Sequence, residues 1–372
     1  MKIEDVNRAP LHRQIADVLR EDVLRNYKPD DQLPPENQLA KAFQVSLLTV
    51  REALCVLDQE GLVARRRGRG TFVLDPRDRQ QVAIVSELNI LLPRVSYFYR
   101  RLVLQAQKYF DAQDKRTTLY LGSAGLDQTR NGVTCDHLFQ DVEENKICGI
   151  LGVTLPVDRN LLLLCKRKAI PVVSPHPEYG CTVTFEQSSL INKSVAYLVG
   201  RGCQKIAFLY HGPQKQMGRI EHSSLVLFRK EMKSHGLPVR EEWVGANLPK
   251  ETPGAGWESF CNIWSASDEK PDGIVVTDDM LFRDAMVAIC ALGIDVPGEL
   301  RVCTHANKGG DTLYPFPVAR VEVDPDAHAV VMGDMMMKLL RGEVVEPAAV
   351  VMDDVLYESE VGLTAQPPLT TA

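Results

Sequence analysis

The sequence predicts an α/β protein in two unequal parts: a small helical N-terminal part closed by a hairpin, and a larger part organised on parallel sheet. Three observations predict it. The first seventy-five residues read helix, short helix, turn, helix, then two short strands around glycines. A polar stretch, Asp75-Pro76-Arg77-Asp78-Arg79-Gln80-Gln81, then interrupts all apolar periodicity. From Val82 onward, short apolar runs alternate with amphipathic patterns, the signature of buried parallel strands and their crossover helices.

Bulk properties narrow the class. A chain of 372 residues suggests two or three domains, and 45% apolar with 25% charged residues is ordinary globular composition. No apolar run approaches the roughly 18 residues of a membrane-spanning helix. The N-terminus, MKIEDVNRAPLHRQ, has no apolar core for a signal peptide, so a cytoplasmic location is expected. The nine cysteines are scattered, odd in number and contain no C-x-x-C pair, and most sit in apolar runs. They read as reduced core residues, not as a disulfide framework or zinc site, and no cofactor is expected. The net charge of −6 is unevenly spread: residues 1–80 carry 14 Lys/Arg against 13 Asp/Glu, leaving −7 for the remainder. Residues 61–79 alone hold six Arg and two Asp, a local basic patch suited to phosphate.

Pro10 opens the first helical pattern, where its fixed φ and missing N–H cost nothing. Leu11, Ile15, Val18, Leu19 and Leu24 follow at helical spacing. Residues 26–31 read as a break, and Leu33-Pro34-Pro35-Glu36 as the start of a second short helix through Leu39, Ala40 and Phe43. Ser46 is a suitable N-cap for a third helix, whose Val50, Ala53, Leu54 and Leu57 form an amphipathic stripe that Gly61 ends. Leu62–Arg66 and Thr71–Leu74 read as strands joined by Arg67-Gly68-Arg69-Gly70. This order is that of a winged helix-turn-helix, in which a helix enters the major groove and a basic hairpin lies along the backbone or minor groove.

Pro10-Leu11-His12-Arg13-Gln14-Ile15, Leu33-Pro34-Pro35-Glu36, Val45-Ser46, Thr49-Val50-Arg51-Glu52-Ala53-Leu54, Glu60-Gly61-Leu62-Val63 and Gly68-Arg69-Gly70-Thr71-Phe72-Val73 together resemble the GntR-type DNA-binding domain. The resemblance covers roughly residues 8–74. It implies that Ser46, Thr49 and Arg51 face DNA from the recognition helix, with Arg67, Arg69 and Gly70 on the wing. The chain departs from the pattern at Pro35, where the family has Ser; at Asn37, where it has Arg or Lys; and at Leu47, where it has Arg. Two customary DNA-contacting cations are therefore replaced.

In the larger part, strands are expected at Val82–Val85 with Ile90–Leu92, Thr117–Leu121, Gly149–Val153, Pro171–Ser174, Thr182–Phe185, Lys205–Tyr210, Gly273–Val276 and Leu300–Thr304. Helices are expected at Tyr99–Ala112, Gln187–Arg201, Leu225–His235, Met280–Ala291 and Asp326–Leu340. Ligands of such sheets sit at the carboxyl ends of strands. Leu91-Leu92-Pro93 with Ser96–Tyr99, Val199–Ala207, Leu227–Met232, Pro271–Asp279 and Leu292–Leu300 resemble the LacI-type sensor domain, which has the periplasmic-binding-protein-like fold. That resemblance implies two lobes joined by three crossings, near residues 175–183, 304–322 and 345–352, with a small-molecule effector, a sugar by default, between them. It places Tyr97 and Phe98 on a ligand-facing loop, Asp279 after a strand, Arg219 more loosely, and Asn307 where an acidic residue is usual; Glu186 takes a place usually held by Asp. Asp278-Asp279 also suits a helix cap, and Tyr97 and Phe98 also suit a core.

The expected division is therefore a winged helix-turn-helix at 1–75, a linker at 76–81, a two-lobed sensor at 82–357 and a tail at 358–372. No phosphate loop, G-x-S-x-G or H-E-x-x-H motif occurs. His176, His211 and His305 lie near strand ends without partners at metal spacing, and read as satisfied or exposed. The expected function is a homodimeric regulator, a repressor, that binds double-stranded operator DNA under effector control and is not an enzyme. A binding protein without ligand-controlled DNA release, or an enzyme carrying a DNA-binding domain, are the other readings. Salt-dependent binding to duplex DNA separates the first from both.

Overall fold

A computed structural model describes residues 10–28, 31–59, 62–66, 69–73, 81–92, 94–124, 135–212, 223–246 and 252–358. The N-terminal part contains α1 (Leu11–Asn26), α2 (Glu36–Phe43), α3 (Leu47–Gln59), β1 (Val63–Arg66) and β2 (Gly70–Val73). Ile15, Leu19, Val23, Leu39, Phe43, Val50, Leu54, Leu57 and Val73 form one buried core, so the apolar stripes of all three helices face one another and the hairpin. β1 and β2 pair antiparallel, Val63 opposite Val73. The second helix starts later than the sequence suggested. Leu33 lies beside β2 instead, its amide donating to the Thr71 carbonyl at 2.8 Å, while Gln32 bridges Phe72. Pro34 and Pro35 explain this: each fixes φ, lacks an N–H and keeps its predecessor extended. Gly61, Arg67, Gly68, Leu74 and the side chain of Leu24 lie outside the described residues.

The larger part holds two six-stranded sheets. The first has the order β13-β7-β6-β5-β3-β4 and is parallel throughout: β3 (Gln81–Leu88), β4 (Thr117–Ala124), β5 (Ile147–Thr154), β6 (Val172–Ser174), β7 (Gly180–Phe185) and β13 (Ala349–Met352). The second has the order β14-β12-β11-β10-β8-β9: β8 (Ile206–Leu209), β9 (Val244–Gly245), β10 (Gly273–Val276), β11 (Arg301–Asn307), β12 (Ala319–Val323) and β14 (Val355–Glu358). Its one antiparallel pair is β12 with β14. Central strands such as Ile206–Leu209 and Gly273–Val276 are buried at every residue, because helices cover both faces.

Those helices are α4 (Tyr97–Asp111), α5 (Asp136–Glu143), α6 (Arg159–Lys168), α7 (Gln187–Gly200), α8 (Ser223–Ser234), α9 (Ala255–Ser265), α10 (Asp279–Ala291) and α11 (Pro325–Leu340). α11 packs on α4 and the first sheet, although the strand before it, β12, belongs to the second. The chain thus passes between lobes at residues 185–187, 323–325 and 352–355, each a few residues beyond the expected place. The reason is strand pairing: β7 stays in the first sheet to Phe185, β12 pairs with β11 to Val323, and β13 pairs with β7 to Met352.

Other expectations are corrected as well. Ile90–Leu92 is a turn, with Leu91 78% exposed, and not a strand. Tyr97 and Phe98 open α4 and do not lie on a loop, because Ser96 caps the helix by accepting from the Phe98 amide. Gln81, assigned to the linker, begins β3, and Glu358, assigned to the tail, ends β14. Residues 74–80 and 359–372 lie outside the described set.

The buried stripe of α3 yields a direct test. Leu54→Ala, at 1% exposure, is expected to lower stability by about 3 kcal/mol through lost burial and a residual cavity. Leu48→Ala, at 65% exposure on the same helix, should cost less than about 0.5 kcal/mol. Urea denaturation of both variants checks the contrast, and equal costs would contradict the assigned helix face.

Candidate nucleic-acid interface and effector cleft

The tip of α3 is built by Ser46. Its Oγ accepts from the Thr49 amide at 3.1 Å and lies 2.8 Å from the Thr49 hydroxyl, so the two predicted contact residues are bonded to each other. Arg51, further along α3, donates from Nε to Glu36 Oε2 at 2.7 Å, and Arg65 on β1 donates to Glu36 Oε1 at 2.5 Å. The Arg51 hydrogen bond, with Arg65 beside it, holds the Glu36 carboxyl below the usual carboxylate range. Glu36 sits in the first turn of α2, where a negative charge also meets the helix dipole favourably. On the wing, the Arg69 carbonyl accepts from Gln32 Nε2 at 2.8 Å. Gly70 has φ +112°, a conformation that L side chains rarely adopt.

A concavity of about 660 Å³ is lined by Glu36 and Asn37 of α2, Arg51 of α3, Arg65 of β1, and Arg69, Gly70 and Thr71 of the wing. Three sequence-predicted residues, Arg51, Arg69 and Gly70, are thus brought together. Ser46 and Thr49 sit at the helix tip, outside that lining, and Arg67 lies outside the described residues. Glu36 and Arg65 were not singled out as site residues. Only their opposite charges, 29 positions apart, hinted at the pairing.

The cleft between the lobes is a cavity of about 440 Å³ at the carboxyl ends of the strands. Ser96, Phe98, Tyr99 and Phe185 line it from the first lobe; His211, Ser223, Thr277, Asp278, Asp279 and His305 line it from the second. The two adjacent aspartates divide the roles that the sequence left open. Asp278 caps α10, accepting from the amides of Met280 and Leu281 at 2.9 and 3.2 Å. Asp279 instead accepts from Ser96 Oγ at 3.0 Å and from Asn307 Nδ2 at 2.9 Å, joining the lobes. Asn307 is 7% exposed, and its Oδ1 is buried without a hydrogen-bond donor. Arg94 adds a second link between lobes, donating to both oxygens of Asp284 at 3.2 and 2.8 Å.

Aromatic rings from both lobes pack at the cleft. Phe98 packs edge-on against Phe185 and His328, and Phe185 lies near-parallel to His305 with centroids 6.4 Å apart. Burial pushes the His328 imidazole down to about 4, while it donates to the Val183 carbonyl. Tyr97 is not part of the lining; a Cβ on Gly309 would lie 3.5 Å from its hydroxyl, which puts Tyr97 beside the turn after β11. Arg219 lies outside the described residues.

Residues 11–73 match the family described as bacterial regulatory proteins, gntR family, and residues 195–358 match a periplasmic binding protein-like domain. The arabinose metabolism transcriptional repressor of Geobacillus stearothermophilus is 31% identical over 351 residues, covering 90% of this chain and 91% of that protein. The chain belongs to the gntR family of bacterial regulatory proteins. It is a DNA-binding transcription regulator. The helix-turn-helix regulator YurK of Bacillus subtilis is 36% identical over 78 residues, 21% of this chain, and the match spans only 32% of that relative's length. Among solved structures, a transcriptional regulator CelR–cellobiose complex is 17% identical and covers 94% of this chain and 98% of that one, with TM-score 0.59. That likeness concerns the fold, and other neighbours are regulators of the LacI family.

For this GntR-family chain, sequence reading overlooked Asp354. It lies between β13 and β14 at the third crossing, lines the cleft and is 6% exposed. It accepts from Ser189 Oγ at 2.7 Å and from Lys193 Nζ, and Lys193 also donates to its carbonyl at 2.6 Å. His211 and His305, read as ordinary satisfied or exposed residues, line the cleft too. Position near a strand end was the one signal for the two histidines, and Asp354 had none, because each is a lone polar residue whose neighbours come from distant sequence.

His328 provides a pH test. Its folded pKa of about 4 lies below its unfolded value of 6.5, so the unfolded chain takes up a proton that the folded chain refuses. Stability should therefore fall as pH drops through that window, by up to ~3 kcal/mol. His328→Leu should flatten this slope whatever its absolute cost. Denaturant midpoints at pH 7, 5.5 and 4.5 measure it; an unaltered slope in the variant would assign the acid sensitivity elsewhere.

Proposed function

We propose that this regulator binds operator DNA as a homodimer and that a neutral sugar, bound between the lobes, sets its operator affinity and so relieves repression in the cytoplasm. The single observation that carries the reading is Asp279, whose carboxylate lines the cleft while holding Ser96 of one lobe and Asn307 of the other. A sugar hydroxyl donating to that carboxylate shares it with an inter-lobe bond, so occupancy and lobe geometry meet at one group. The lining supports a neutral polyol: Asp278, Asp279 and Asp354 offer acceptors, Phe98 and Phe185 offer apolar ring faces, and no Lys or Arg is among the described lining residues. The relative named for arabinose metabolism and the cellobiose complex support the same ligand class. Because relatives are regulators and not enzymes, turnover of the effector is not expected.

Two half-sites read by two winged helices call for two-fold symmetry. In this reading Arg51, Arg69 and the backbone at Gly70 meet DNA at the concavity, with Ser46 and Thr49 at the tip of α3 and Arg67 on the wing. Coupling between DNA and sugar is reciprocal by thermodynamic necessity.

Two measurements test it. Fluorescence anisotropy of the full chain on a duplex from the region upstream of its own gene should show affinity falling steeply with salt. Arg51→Ala should weaken that binding about tenfold or more, in line with the roughly 1–3 kcal/mol of a base-reading contact. Salt-insensitive binding, or an inert Arg51→Ala, would remove this residue from the interface. For the cleft, a thermal-shift panel of neutral pentoses, hexoses and disaccharides should raise the melting temperature, by an amount equivalent to about 2.7 kcal/mol at a hundred times the dissociation constant. Asp279→Asn should lose that response while keeping operator binding; an equal response in the variant would exclude Asp279 from the effector site.

A further inference from the structure

α3 directs Val50, Ala53, Leu54 and Leu57 into the core, where all four are buried. Its outward face is the complementary set: Leu48, Arg51, Glu52 and Cys55, spaced i, i+3, i+4 and i+7, every one exposed. Leu48 stands at the N-terminal end of that stripe and is 65% exposed, beside the half-buried Leu47. Two of the polar groups around it are engaged within the protein: the Thr49 hydroxyl is bonded to Ser46 and Arg51 to Glu36. The foremost uncommitted group on the outward face is therefore an aliphatic one, and it contributes little to the core.

We propose that Leu48 reads thymine, seating its side chain against the C5-methyl group in the major groove. The inference rests on the winged helix binding DNA and goes beyond it by naming a base and an atom. The first turn of a recognition helix is the part that reaches base edges. Of the groups that bases present in the major groove, the thymine methyl is the apolar one. Leucine has neither donor nor acceptor, so guanine O6 and N7 or the cytosine amino group would lose water at that spot and gain no partner. A cation in the same turn would have the opposite preference, toward guanine. Leu48 thus makes the tip of α3 a reader of a methyl group, where a cation would read guanine.

The test removes the methyl alone. Purified full-length chain selects duplexes from a random-sequence library, and in the selected half-site each thymine is replaced singly by deoxyuridine. Wild-type affinity, measured by anisotropy, should fall about three- to tenfold at one or two positions, the effect expected of one buried methyl. Leu48→Ala, whose melting temperature is checked alongside, should bind the thymine and deoxyuridine duplexes alike at those positions, and Leu47→Ala should retain the difference. If the library yields no enriched duplex, the DNA-binding reading fails and this inference falls with it. If duplexes are enriched but deoxyuridine is neutral everywhere, or Leu48→Ala keeps the wild-type sensitivity, the inference alone is overturned. Loss of sensitivity in Leu47→Ala alone would move the role to Leu47 and likewise overturn it.

Discussion

The larger part of this molecule depends on one carboxylate placed between two bodies. An ionised carboxylate only accepts hydrogen bonds, so the Asp279 side chain must be supplied with donors from whatever faces it. It receives one from Ser96 in the first lobe and one from Asn307 in the second. Ser96 also caps α4, and Asp278 next door caps α10, so the contact joins the N-terminal ends of two helices from different lobes. Arg94 and Asp284 add a bidentate pair from the same loop to the same helix. α10 thereby carries both of these links to the first lobe.

On the proposed reading, this arrangement makes the cleft responsive. Three short crossings connect the lobes, and the third carries Asp354, tied to Ser189 and Lys193 on α7. The Asp354 carboxyl is buried while the Lys193 side chain is 40% exposed, so the contact anchors the third crossing to α7 at the lobe surface. A ligand that engages Asp279 shares its carboxylate with Ser96, and the ligand's differential affinity for the open and closed arrangements is what can shift the equilibrium between them.

The winged helix was legible in sequence because its signals are local. Ser46 caps, Val50, Ala53, Leu54 and Leu57 keep helical spacing, and the Arg–Gly hairpin follows directly. The exception, the late start of α2, arose where two prolines favour extension over helix. Central strands of the two sheets were legible as unbroken apolar runs. β12, β13 and β14 were not: β13 and β14 are short and largely exposed, β12 is buried only at alternate residues, and β13 gains its place by pairing with β7 from the other end of the domain. The crossings depended on those pairings and so were placed too early. Of the cleft residues, Phe98 and Asp279 stood at positions that family resemblance could indicate; Asn307, indicated in the same way, bonds Asp279 from outside the lining. Asp354, His211 and His305 enter the cleft only through tertiary assembly.

The charge pattern explains why an apolar tip suits this interface. With a net charge of −6, the chain as a whole gains little from long-range attraction to DNA. Two cations customary in the family are absent at Asn37 and Leu47, and Glu36 lies between two that remain, Arg51 and Arg65. A carboxylate there fixes the direction of both guanidinium groups and subtracts from the positive potential that any phosphate would feel. On the proposed reading, sequence-independent affinity is expected to be lower, while Glu36 defines the geometry of the Arg51 and Arg65 donors. On the same reading, discrimination comes from short-range fit at the base edges, where an exposed leucine and a pre-oriented arginine would act on different bases and not compete for the same one.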